Sequence, residues 1–169
     1  MHIEAPCLLV ANPILMDPNF LHAVVLLIEH NEEGAFGLLL NRPLPLALEE
    51  VCVEGGLTYA GPDDAVAWRG GPVEPQRGVL LVAGGLPEGE DTVLDMTHFL
   101  SHRKDLLESI LQQEEAKYRL YLGYSGWGAG QLDEEIAEGA WSTRPLVSSW
   151  LLDANPSVLW HMALAEGPA

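Results

Sequence analysis

Apolar residues in this chain gather in short blocks closed by Pro, Gly, Asn or Asp, a pattern of buried strands and turns more than of long helices. Cys7–Ala11 reads as one such strand, ended by Asn12 and Pro13. After a turn-rich connection from Met16 to Phe20, Ala23–Glu29 reads as a fully buried strand rich in Val, Leu and Ile. His30–Gly34 then forms a hairpin loop, with Ala35–Leu40 as the returning partner. Further strands are expected at Ala65–Trp68, Val79–Ala83, Thr92–His98, Leu120–Tyr124 and Leu146–Leu151.

Helical spacing is rarer. Pro45–Val51 suits a helix because Pro fits a first turn. Ser101 stands where a cap would, before a helix from His102 to about Gln113 whose stripe is Leu106, Leu107, Ile110 and Leu111. Leu132, Ile136 and Ala140 recur at helical spacing after Gln131, and Asn155 with Pro156 is placed to open a helix over Ser157–Ala165. Glu54–Asp64, rich in Gly, Pro and Asp, reads as an irregular excursion. Hairpins precede helices without regular strand-helix alternation, so the predicted class is α+β on a mixed or largely antiparallel sheet.

Length and charge narrow the picture. A chain of 169 residues suits a single domain, 1–169, with a sizeable core. Eight Lys and Arg against 25 Asp and Glu give a formal net charge of -17, spread along both halves. Such a surface repels DNA, RNA and anionic membranes, because duplex binding depends on cations that displace counterions from phosphates. The apolar runs are shorter than a membrane span, and the start of the chain lacks a basic region followed by an apolar stretch. A cytoplasmic protein without direct nucleic-acid or membrane contact is therefore expected. Cys7 and Cys52 sit in apolar settings without CxxC or zinc-ligand spacing, which predicts buried free thiols.

The richest stretch runs from Arg119 to Trp141 and reads as strand, glycine loop and helix. A nucleophile elbow needs Gly-x-Ser-x-Gly, but Trp127 stands where the last Gly must be, which argues against Ser125 as a nucleophile. A dinucleotide loop fails too, since the last glycine of Gly-x-Gly-x-x-Gly falls on Gln131 or Asp133. Asp133, Glu134 and Glu135 crowd the first helical turn, where they favour the helix dipole and repel phosphate. A tight turn under Trp127 is the expected structure. Glu29-His30 invites an acid-base reading, yet strand neighbours point to opposite faces, so His30 is expected to bond its own hairpin loop. His98 and His102 have helical metal-pair spacing, but Ser101 starts the helix between them, and no metal site is expected.

Four segments together resemble the AlgH, or YqgE, family of bacterial proteins. They are Leu8–Pro13 with Asp17–Phe20; Glu29–Asn31 with Gly34–Leu38 and Asn41–Pro43; Gly70–Val73 with Arg77 and Gly78; and Leu122–Trp127 with Gly130–Leu132 and Trp141. The motif-bearing part covers about 6–142, followed by a C-terminal strand and helix at about 146–165. The chain departs from the family pattern at Leu21-His22-Ala23, where a basic residue and a hydroxyl are expected, and at Ser125, where the family commonly carries Ala. The resemblance implies a bent, branched sheet forming a barrel-like core flanked by helices. It implies no settled activity, and no cofactor is expected from the residues. A transcriptional-regulator label travels with the family, but the chain has no helix-turn-helix pattern, and its charge opposes operator binding.

The resemblance also marks residues at predicted strand ends, and the candidate ligand-binding set is Asn41, Arg42, Gly71, Arg77, Tyr124, Trp127 and Gln131. Convergence of Arg42 and Arg77 beside the glycine loop would make a cationic pocket for a carboxylate or phosphate. The expected function is a binding or regulatory module for a small anionic ligand or a protein partner. The alternatives are a small hydrolase or redox enzyme using the same cleft, and a transcriptional regulator.

Overall fold

Leu8 and Leu9 face Leu26 and Val25 across an antiparallel pair, and all of them are fully buried. Burial on both faces explains why these strands read as unbroken apolar runs and not as alternating ones. The computed structural model describes residues 3–166, so Met1 and His2 of the chain-start reading lie outside the described residues. In chain order the strands of the first half are β1 (Cys7–Ala11), β2 (Val24–Asn31), β3 (Gly34–Leu39), β4 (Pro43–Ala47), β5 (Val66–Arg69) and β6 (Val73–Ala83). The second half adds β7 (Thr92–Val93), β8 (His98–Ser101), β9 (Tyr118–Gly128) and β10 (Trp141–Arg144). The helices are α1 (Leu48–Glu54), α2 (Lys104–Leu111), α3 (Gln131–Ala137), α4 (Ser148–Leu152) and α5 (Pro156–Glu166).

Among the described residues, the strands form one sheet whose main path runs β10, β1, β2, β3, β9, β6, β8, β7. β4 pairs with β5, which lies parallel to β9; the other pairs are antiparallel. The α+β class and the mixed sheet are as expected, but the sheet is open and branched and not a barrel. Closure requires the end strands to pair. Here one end is the short β7, and one edge of β9 is shared by β5 at Tyr121 and Leu122 and by β3 at Ser125–Gly128.

Alternation along β6 separates two cores. Val79 and Leu81 join β1, β2, β3, α3 and α5 on one side, while Leu80 and Val82 face α1 and α2 on the other with Phe99, Ile110, Leu111 and Leu120. Cys7 lies in the first core and Cys52 in the second, both free and buried.

Several expected elements are drawn differently by hydrogen bonds. Gly126 and Gly128 are not loop residues: β9 continues through them, pairing with Phe36 and Gly34, and the turn is confined to Ala129 and Gly130. Thr92–His98 is not one strand, because the Asp95 carboxylate accepts the backbone N–H groups of Thr97 and His98 at 2.9 and 2.8 Å and turns the chain. Pro43–Ala47 pairs as a strand before the helix that begins at Leu48, later than Pro45. β6 begins at Val73, which pairs with Tyr124, and not at Val79, although the stretch before Gly78 is irregular and holds Glu74 left-handed at φ 46. Ser101 ends β8 and is not the helix cap, although its Oγ accepts the Arg103 N–H at 3.1 Å. The expected strand at Leu146–Leu151 is instead α4, preceded by the short β10, since Pro145 has no N–H to continue a ladder. Asn155 does open α5, its Oδ1 accepting the Ser157 N–H at 2.9 Å.

Candidate functional site

The branch in β9 turns on Gly123, which is left-handed at φ 76. Below it Leu122 pairs with β6; above it Ser125 pairs with β3. Gly70 locks the junction: its N–H donates to the Leu122 carbonyl at 2.8 Å, and its carbonyl accepts the Leu39 N–H at 2.8 Å and the Ser125 hydroxyl at 3.1 Å. Ser125 is fully buried in that bond, a structural donor and not an exposed nucleophile. A Cβ on Gly71 would stand 2.2 Å from the Tyr124 carbonyl carbon.

Where β6 loses register with β9, between Val73 and Gly78, the concave face opens as a cavity of about 470 Å³. Its walls come from the β2–β3 hairpin, β6, β8 and the upper half of β9. Ile28, Phe36, Leu38, Val79, Leu100 and Tyr124 give it an apolar lining, while Arg77, His102, Glu29 and Glu33 supply charge or titratable nitrogen. The Arg77 guanidinium lies 6.0 Å over the Tyr124 ring and pairs with Glu74 at 3.2 Å in an exposed contact. An exposed pair of this kind contributes little, of order 0–1 kcal/mol, so Arg77 exchanges this partner at small cost. The His102 Nδ1 lies 3.3 Å from the Gly78 carbonyl.

Arg77, Tyr124 and Trp127 of the candidate set meet at this cavity. The others are not among its lining residues. Asn41 is buried and accepts the Val24 N–H at 3.1 Å while donating to the His22 carbonyl at 2.9 Å. Arg42 donates to the Leu21 carbonyl, and burial together with neighbouring Arg69 lowers its proton affinity. Arg42 and Arg77 therefore do not build one pocket. Gly71 serves close backbone packing. Gln131 bridges β9 and α3, accepting the Gly128 N–H at 3.0 Å and donating to Glu135 at 2.8 Å.

That last contact exposes a residue the sequence did not single out. Glu135 accepts the indole N–H of Trp127 at 3.3 Å and of Trp141 at 3.0 Å, beneath a cluster in which Phe20 stacks with Trp127 and meets Trp141 edge-on. Its signal was its place one helical turn after Gln131, hidden among adjacent acids. His30 also differs from expectation: its Nε2 reaches Asp133 of α3 at 3.1 Å, not its own loop, while Glu29 lines the cavity. His98 lies 3.0 Å from Asp95 and 3.2 Å from Ser148, so it ties β8 to α4. Burial pushes the Cys7 thiol up to about 11, and burial with Glu49 raises that of Cys52. The nucleophilic thiolate is thereby disfavoured at both.

These features define an α+β protein built on an open, branched sheet with a cleft at the branch. The chain belongs to the AlgH-like family, whose model matches residues 8–168. A UPF0301 protein of Myxococcus xanthus is 42% identical over 161 residues, spanning 95% of this chain and 88% of that protein. A UPF0301 protein of Streptomyces avermitilis is 38% identical over 162 residues, covering 93% and 83%. The solution structure of the AlgH protein from Pseudomonas aeruginosa matches with a TM-score of 0.75 at 34% identity, covering 98% of this chain and 90% of that one. The crystal structure of a Corynebacterium diphtheriae protein shares the fold, with a TM-score of 0.78 at 24% identity over 99% and 89% of the two chains.

Proposed function

We propose that this chain is a binding module whose cleft, at the branch of β9, takes a small amphipathic molecule with an anionic end. The observation that supports this reading is the pairing of an apolar, aromatic wall with a cation, Arg77 over Tyr124, in a cavity of about 470 Å³. Cavities of this size and lining bury most of a small ligand, a few polar groups fixing its orientation. The apolar part packs on Phe36, Leu38 and Val79, and the anion meets Arg77 with His102 on the same wall. Glu29 and Glu33 disfavour an anion at the hairpin side and so set the ligand's direction. Any regulatory role runs through this ligand or a protein partner, because the -17 charge opposes phosphate backbones.

The test is a titration with 1-anilinonaphthalene-8-sulfonate, an aromatic anion of suitable size, read by fluorescence on wild type, Arg77→Gln and Tyr124→Ala. Saturable enhancement is expected in the wild type, weakened about tenfold by Arg77→Gln, equivalent to about 1.4 kcal/mol. Near-UV circular dichroism confirms that the variants remain folded. Equal affinity in all three folded proteins, or no saturable signal, rejects the cleft.

A further inference from the structure

A second cationic feature lies outside that cleft. The backbone N–H of Arg69 donates to the Arg42 carbonyl at 2.8 Å, extending by one step the antiparallel pairing in which Pro43 faces Trp68. Arg42 and Arg69 are therefore cross-strand neighbours, an arrangement in which like charges repel. We propose that these two arginines form a separate ligand site, a two-guanidinium fork for the dianionic phosphate of a small phosphorylated molecule.

Partner choice carries the argument. This protein has 25 acids and 8 Lys and Arg, so carboxylates are abundant. Arg77, Lys104 and Lys117 each take one, and Arg103 takes three. Among the described residues, four arginines take none: Arg119 and Arg144 each spend two or more donors on carbonyls at the ends of α4 and α5, whereas the neighbours Arg42 and Arg69 use one neutral acceptor each in the same turn, the Leu21 carbonyl for Arg42 and the Asn19 Oδ1, at 3.1 Å, for Arg69. The acid of that turn, Asp17, pairs with neither arginine; one of its carboxylate oxygens accepts the Asn19 N–H at 2.8 Å. Burial and the charge of Arg69 already lower the proton affinity of Arg42, and the pair remains charged because arginine does not deprotonate in proteins.

Each guanidinium carries five N–H donors, and these contacts use one apiece. Arg69 is exposed and Arg42 half-buried, so the remaining donors of the pair are reachable from solvent. A carboxylate neutralises one positive charge, whereas a phosphate monoester neutralises both and offers three oxygens. The surrounding negative field excludes polyanions, which favours a small phosphorylated molecule over nucleic acid.

The test uses inorganic phosphate as probe, with acetate and sodium chloride at matched ionic strength, and follows the arginine Nε–H signals by nuclear magnetic resonance. Expected are saturable phosphate shifts at Arg42 and Arg69, with affinity at least tenfold above acetate. Arg69→Gln, whose amide can still donate to Asn19, should weaken them at least tenfold, while Arg77→Gln leaves them unchanged. Arg69→Glu should abolish them and raise the melting temperature in phosphate-free buffer by creating an ion pair with Arg42. Shifts no larger than with sodium chloride, shifts surviving Arg69→Gln or lost in Arg77→Gln, or a lowered melting temperature in folded Arg69→Glu, overturn the proposal. The dye titration judges the branch cleft independently, since Arg69→Gln leaves that cavity intact.

Discussion

Gly71 and Glu135 are two residues whose roles reverse once their neighbours are known. Gly71 stands in the candidate ligand-binding set, but its missing side chain makes room for the Tyr124 backbone. Gly71→Ala must displace main chain, and the expected loss is about 3 kcal/mol in urea denaturation. Gly84→Ala is the comparison: its φ of 81 costs an alanine about 1 kcal/mol, but nothing stands within 4 Å of the added carbon. Equal losses at the two positions would remove the close-approach argument. Glu135 reads as one of three acids at a helix start, yet it satisfies two indole N–H groups. Glu135→Leu leaves Trp127 and Trp141 without acceptors and is expected to cost about 3 kcal/mol, with altered tryptophan emission. Glu135→Gln keeps one carbonyl for both indoles and should lose about 1 kcal/mol.

At the scale of elements, sequence legibility followed burial. The β2–β3 hairpin, the strand core of β9, the helix after Gln131 and the Asn155 opening of α5 were readable because apolar runs and turn residues there agree with tertiary packing. Strand ends were not, since they depend on distant partners. Gly126 and Gly128 look like loop residues until β3 supplies pairing, and Arg42, expected to converge with Arg77 from a different segment of the resemblance, lies across from Arg69. Asp95 shows how one side chain divides an apparent strand, and it carries a pH signature. Burial alone would raise its carboxyl, but hydrogen bonds from Thr97, His98 and Ser148, with the charge of His98, hold it down at about 2. Because the folded value lies below the unfolded one, near 4, this stabilisation is complete above pH ~4 and disappears as pH falls through ~2. The stability difference between wild type and Asp95→Asn should therefore shrink by about 2 kcal/mol over that window, measured by urea denaturation at each pH. A constant difference would show that Asp95 is not held in its charged form.

For the whole molecule the governing quantity is the -17 charge wrapped around two apolar cores. Sequence alone exposed the charge, but not that Val79 and Leu80, adjacent in one strand, belong to different cores. Arg77 with Glu74 and Lys104 with Glu108 are exposed, and such pairs contribute about 0–1 kcal/mol each. Repulsion among the remaining acids acts over longer distances, across a screening length of about 30 Å at 0.01 M salt and about 8 Å at 0.15 M. Raising sodium chloride between those limits removes more repulsion than attraction, so the melting temperature should rise by a few degrees, read by calorimetry at pH 7. Sodium phosphate at equal ionic strength should raise it further if the Arg42–Arg69 fork is occupied, and this increment should vanish in Arg69→Gln while the sodium chloride response remains. A melting temperature that falls with salt would mean that local ion pairs, and not the net charge, dominate the electrostatics of the fold.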